Sequence, residues 1–135
     1  MRVFFYGLFM DETLLAQKGV KSRNAISGHV DGYTLRIGER ATLLPDEGCQ
    51  AYGVVMEITS RDVDALYSED TVADYLPEPV TVALLNGSKV EATCYNLPKD
   101  KVTGTNKTYA ASLLKLASKI GFPEPYIGQI RRLAE

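Results

Sequence analysis

The sequence predicts an α+β fold: a small, mostly antiparallel, barrel-like mixed sheet with short helices. Three observations predict it. Short β-branched and aromatic segments recur between glycine, proline and asparagine turn signals. Asn86-Gly87, flanked by two such segments, is a strong hairpin signal and implies antiparallel pairing. Helical stretches neither alternate regularly with strands nor gather at one end, which excludes a doubly wound α/β arrangement. Many short strands with interspersed glycines suit a sheet that curls on itself. A length of 135 residues predicts one domain spanning residues 1–135, large enough to hold a core without a disulfide or metal.

Arg2 to Tyr6 is β-branched and aromatic and runs into Gly7, so a strand entering a tight turn is expected. Asp11-Glu12-Thr13 then open a short helix that Gly19 closes. His29 to Ile37 reads as a half-buried strand with Tyr33, Leu35 and Ile37 on one side, and Gly32 marks a bulge. Ala41 to Pro45 and Ala51 to Ile58 are expected as separate strands around a turn at Asp46-Glu47-Gly48. A capping residue at Thr59 or Ser60 starts the next helix; with Thr59, Asp62 completes a capping-box-like pattern. Pro77 and Pro79 argue against a regular central strand between Thr71 and Pro79. Val80 to Leu85 and Lys89 to Leu97 form the hairpin, Tyr109 to Ile120 an amphipathic helix stopped by Gly121, and Tyr126 to Leu133 a last helix. The total is about six or seven strands and three or four helices.

Composition excludes several classes. A net charge of −2 lacks the basic face that phosphate binding requires, so no nucleic-acid partner is expected. No segment approaches the roughly 20 apolar residues that span a bilayer, so no membrane partner is expected. The apolar start is broken by Gly7 and closed by Asp11 and Glu12, without a small-residue cleavage site, and reads as a strand rather than a secretion signal. Cys49 and Cys94 lack metal-type spacing and read as free thiols. A cytoplasmic location is expected, with no metal and no cofactor, as a monomer or homodimer.

The motifs then resemble a family. Tyr6-Gly7-Leu8-Phe9, after a first strand and before a helix, resembles the Tyr-Gly-x-Leu signature of γ-glutamylcyclotransferases and their plant-defence-related relatives. Ala51-Tyr52-Gly53-Val54-Val55 is similar to the family's Val-x-Gly-x-Val/Leu strand. Leu66-Tyr67-Ser68-Glu69-Asp70, leading to Tyr75, is similar to its acidic motif, and Tyr126-Ile127 before a basic helix fits its close. Two departures stand out. Leu8 and Phe9 occupy places where the family carries a small hydroxyl residue and a leucine. Asp70 stands where the motif has Glu, with Glu69 one residue earlier and no following glycine.

The resemblance implies the γ-glutamylcyclotransferase-like fold and a reaction in which a γ-glutamyl group's own α-amine attacks its γ-carbonyl. The products are 5-oxoproline and the released amine. Because the nucleophile belongs to the substrate, no Ser or Cys is needed. A base must take the amine's proton, since its pKa is about 8. Orientation must bring amine and carbonyl together, and donors must meet the oxyanion. The resemblance assigns the general acid/base to Glu69, with Asp70 as rival. It assigns substrate binding to Tyr6, Gly7, Leu8, Phe9, Tyr75 and Tyr126, with backbone N–H groups of the glycine turn as the oxyanion cradle. The alternative is a non-catalytic small-ligand-binding or interaction domain that keeps the fold.

Overall fold

The computed structural model describes residues 1–135. Its elements in chain order are β1 (Arg2–Phe5), a 3-10 turn (Leu8–Met10), α1 (Glu12–Gln17), β2 (Arg23–Ile37), β3 (Ala41–Glu57), α2 (Ser60–Leu66), β4 (Leu76–Leu84), β5 (Lys89–Asn96), a 3-10 turn (Lys99–Lys101), α3 (Lys107–Ile120) and α4 (Glu124–Ala134). The five strands close into a barrel in the order β1-β3-β2-β4-β5. Every pairing is antiparallel except β1 with β5, which meet in parallel at Val3 and Thr93. The expected α+β class and curled mixed sheet are therefore observed.

The strand count is lower than the sequence suggested. Ala41 to Glu57 is one continuous strand, because its two halves pair with the same partner, β2. The Asp46-Glu47-Gly48 segment is taken up as an irregularity between Tyr33↔Pro45 and Asp31↔Gln50, opposite Gly32. Gly32 and Gly48 both take positive φ, 81° and 83°, which a residue with a Cβ rarely adopts. Bulged pairs bend and twist a strand, as barrel closure requires.

Pro77 and Pro79 lie inside β4, contrary to expectation. Leu84 N–H donates to Ser88 O, towards β5, whereas Leu85 N–H donates to Ser27 O, towards β2. By strand alternation the odd residues of β4 turn their nitrogens towards β2. The β2–β4 ladder contains only Gly28↔Leu84 and His29↔Ala83, so the proline nitrogens face a stretch with no ladder to complete.

Local caps follow the sequence. Asp11 Oδ1 accepts from Thr13 N and Leu14 N, Thr59 Oγ1 from Asp62 N, and Asn106 Oδ1 from Tyr109 N. Gly121, at φ 91°, ends α3 in the left-handed conformation. The core joins the barrel interior to the buried faces of the helices: Val63 and Leu66 of α2, Leu113 and Ala117 of α3, Tyr126, Ile127 and Ile130 of α4. Gly53 in β3 allows β1 close approach, since a Cβ there would overlap Phe5 O and the Phe4 ring. Leu113 is fully buried; Leu113→Ala is expected to lower unfolding stability by about 2–5 kcal/mol, measured by denaturant titration.

Candidate functional site

At one end of the barrel, four stretches converge around a cavity of about 340 Å³. They are the turn after β1 (Tyr6 to Phe9), the β2–β3 turn (Glu39 to Ala41), the segment from Tyr67 to Tyr75, and Tyr109 in the first turn of α3. A largely apolar cavity with few polar groups suits a small ligand.

The glycine turn is held from a distant part of the chain. Leu8 N–H donates to Tyr109 Oη at 3.2 Å, across 101 positions of sequence. Gly7 must be glycine for this contact, because a Cβ there would overlap the Tyr109 hydroxyl. Burial raises the Tyr109 phenol above its ordinary pKa, partly offset by the Leu8 N–H, so the hydroxyl is neutral at physiological pH. Asn106 supports both walls: its Oδ1 caps Tyr109 N and its Nδ2 donates to Glu39 O at 3.1 Å. Glu39 N–H donates to Thr103 O at 2.7 Å.

Aromatic rings build the remaining wall. Tyr67 stacks on Tyr95, with centroids 4.1 Å apart and planes at 14°. Phe9 inserts edge-on between Phe5 and Tyr67, 6.0 Å from each. Such pairs contribute about 0.5–1.5 kcal/mol each beyond simple burial. Tyr6 Oη donates to Tyr95 O at 2.7 Å and Tyr75 Oη to Ala41 O, so both hydroxyls serve to tie backbone together.

Two charged side chains line the cavity, Glu39 and Arg40. Arg40 is half-buried and committed: Nη1 donates to Thr71 O and Nη2 to Asp74 Oδ2, both at 3.3 Å, while its guanidinium sits 5.9 Å from the Tyr75 ring centroid. Glu39 is exposed; its carboxylate packs beside Gly104 and makes no hydrogen bond or ion pair within the chain.

The sequence-derived site divides accordingly. Tyr6, Gly7, Leu8, Phe9 and Tyr75 all line the cavity. Glu69 does not. Its carboxylate accepts from Lys18 Nζ at 3.0 and 2.9 Å, with 40% of the side chain exposed, and Asp70 is also exposed. The reason is local: the residues after α2 turn Tyr67 inward onto Tyr95, and Lys18, at the end of α1, draws Glu69 outward. An exposed pair of this kind is worth only about 0–1 kcal/mol. Tyr126 also lies elsewhere, buried against Tyr52 and Phe122 beside a second, open cleft of about 520 Å³. Its place among the core residues of α4 explains this.

Tyr67, Tyr95, Tyr109 and the carboxylate of Glu39 were not singled out from the sequence. Asn106, as a cap, sets Tyr109 in the first turn of α3, but no local pattern links it to Leu8. Cys94 lies on the inward side of β5, its thiol 3.6 Å from Asn96 Oδ1, and burial raises its pKa to about 12. Buried and with its pKa raised, the thiol keeps its proton near neutral pH.

The sequence profile of the AIG2-like family matches residues 50–130, more than half of the chain. The chain belongs to the AIG2-like family. Its fold is shared with a structure named gamma-glutamyl cyclotransferase, at 16% identity and a TM-score of 0.77 over 97% of this chain and 86% of that one. It is shared also with a yeast gamma-glutamyl cyclotransferase specific to glutathione, at 13% identity and TM-score 0.71 over 99% and 95% of the two chains. YkqA from Bacillus subtilis matches at 21% identity and TM-score 0.82, covering 99% of this chain but 54% of its own. At these identities the likeness is one of fold. No curated protein sequence matches the chain significantly. The expected family is borne out, and the matched stretch includes the Tyr52-Gly53 motif. No helix of this AIG2-like chain is long and apolar enough to cross a membrane.

Two outcomes test the geometry. Gly7→Ala is expected to cost about 1–3 kcal/mol by overpacking against Tyr109, and adding Tyr109→Phe is expected to recover part of the loss in denaturant titration. Iodoacetamide at pH 8 is expected to modify the partly exposed Cys49 in the native protein and to reach Cys94 only after unfolding, as peptide mapping would read.

Proposed function

We propose that the cavity holds the γ-glutamyl group of a small γ-glutamyl amine or amino acid and cyclises it to 5-oxoproline. The carrying observation is the cavity itself. It is lined by the Tyr6–Phe9 turn of an AIG2-like barrel, and one unpaired acidic residue, the exposed Glu39, borders it. Solved structures of the same fold that are named gamma-glutamyl cyclotransferase support the reaction class.

In this reading the aromatic wall folds the γ-glutamyl chain so that its α-nitrogen faces its γ-carbonyl carbon. Confinement of this kind can remove several kcal/mol from the barrier. Glu39 accepts a proton from the α-ammonium. The freed nitrogen then bonds to the γ-carbon, and the carbonyl oxygen becomes an oxyanion. When the bond from the γ-carbon to the departing nitrogen breaks, that nitrogen takes the proton from Glu39 and leaves as the amine. The ring nitrogen, which carries two hydrogens after the attack, gives one to the freed carboxylate, which passes it to solvent, and the lactam N–H remains. Protons balance, and no oxidant or cofactor enters. Glu39 replaces Glu69 in the acid/base role because the Glu69 carboxylate is engaged by Lys18 outside the cavity.

One observation favours a second reading, a ligand-binding domain without turnover: neither acid after α2 lines the cavity. One assay separates the two. The purified protein is incubated with a panel of γ-glutamyl amino acids and amines, and 5-oxoproline is measured. Release is expected, reduced at least about 100-fold in Glu39→Gln and changed less than about threefold in Glu69→Gln and Asp70→Asn. Loss in Glu69→Gln or Asp70→Asn with Glu39→Gln active would remove Glu39 from the role. Ligand binding without any release would establish the second reading.

A further inference from the structure

We infer that the side-chain hydroxyl of Tyr109 is a catalytic hydrogen-bond donor, which contacts the γ-carbonyl oxygen and carries the polarity of the Leu8 amide into the cavity. The inference rests on the cyclotransferase reading above and names the oxyanion donor of that site.

The glycine turn alone does not present the Leu8 amide to a ligand, because Leu8 N–H is already donated to Tyr109 Oη. A phenol oxygen that accepts one hydrogen bond retains a proton to give. Among the cavity's tyrosines the fate of that proton differs. Tyr6 donates to Tyr95 O and Tyr75 to Ala41 O, so their protons are spent inside the protein. Tyr67 and Tyr95 hydroxyls make no hydrogen bond and are not oriented by one. Tyr109 is the cavity tyrosine whose oxygen is pinned by a backbone amide while its own proton has no acceptor in the chain.

Three features make this hydroxyl a preorganised donor. An O–H group that accepts a hydrogen bond is polarised and donates more strongly. Its ring is fixed at both ends, at Oη by Leu8 and at the backbone by Asn106, whose side chain also holds Glu39. Gly7 leaves the room in which the hydroxyl sits, so the position is set before a ligand arrives. Donors held in place ahead of charge development lower a barrier most, because nothing must reorganise when the oxyanion forms.

The test compares kinetics of the whole protein with Tyr109→Phe and with fluorinated tyrosines at position 109, using the best γ-glutamyl substrate of the panel. Tyr109→Phe is expected to lower kcat about 10²–10³-fold with KM changed less than about threefold. Fluorination keeps the ring and hydroxyl but lowers the phenol pKa. A donor works only while protonated, so activity is lost as pH rises through that pKa, and the alkaline limb is expected to move to lower pH with each fluorine. A structural role would not shift that limb. The other ionisable groups facing the cavity, Glu39, Arg40, Tyr6, Tyr67, Tyr75 and Tyr95, stay unaltered across the series. Undiminished kcat in Tyr109→Phe, or a limb that ignores fluorine, overturns the inference while leaving the cyclotransferase reading intact. Absence of 5-oxoproline from the unaltered protein overturns both.

Discussion

The turn after the first strand can keep its shape only if something fills the space that Gly7 leaves and satisfies the amide that follows. Tyr109 does both with one oxygen atom. This contact fixes the start of α3 against the end of β1, and Asn106 passes the constraint on to the β2–β3 turn through Glu39. Three walls of the cavity are thereby set relative to one another by two polar side chains. The barrel supplies the rigid floor: Phe4 and Phe5 of β1 line the cavity while their backbones pair with Val55 and Val54 of β3.

Charge around the cavity is distributed according to what the fold needs. Arg40 neutralises Asp74 and holds the Thr71 carbonyl, so its positive charge closes the segment between α2 and β4 rather than standing open to a ligand. Lys18 and Glu69 neutralise each other on the outside, joining α1 to the same segment. Glu39 is left without a counterion. Its backbone, by contrast, is held by Thr103 and Asn106, an arrangement that fixes where the side chain starts without consuming its charge. Aromatic faces supply most of the remaining surface, and the hydroxyls of Tyr6 and Tyr75 are turned to backbone carbonyls, which keeps the wall largely apolar.

A good part of the architecture was legible in the chain. The caps at Asp11 and Thr59, the Asn86-Gly87 hairpin, the Gly32 bulge and the Gly121 stop act over one to four residues, and such short-range chemistry is written where it operates. The turn at Gly7 was legible for the same reason, whereas its assignment to a site came from the family resemblance; the structure puts Tyr6 to Phe9 along the cavity. The two prolines of β4 were misjudged because their tolerance depends on which neighbour is missing, a property of the closed sheet. The two halves of β3 looked separate because only their shared partner, β2, makes them one strand.

The sequence by itself determined the class of fold, through local spacing and turn signals, and pointed to the family through the resemblance of its motifs. Tertiary structure alone decided which charged residues border the cavity and which are paired. Glu69 and Glu39 are chemically identical and both lie in turns between elements. One meets Lys18 from 51 positions away, while the other is held only through its backbone, by Thr103 and the Asn106 side chain, so their surroundings differ although their side chains do not. Tyr109 and Leu8 show the same principle from the other side: a donor and an acceptor 101 positions apart carry no mark of each other until the barrel closes and brings them within 3.2 Å.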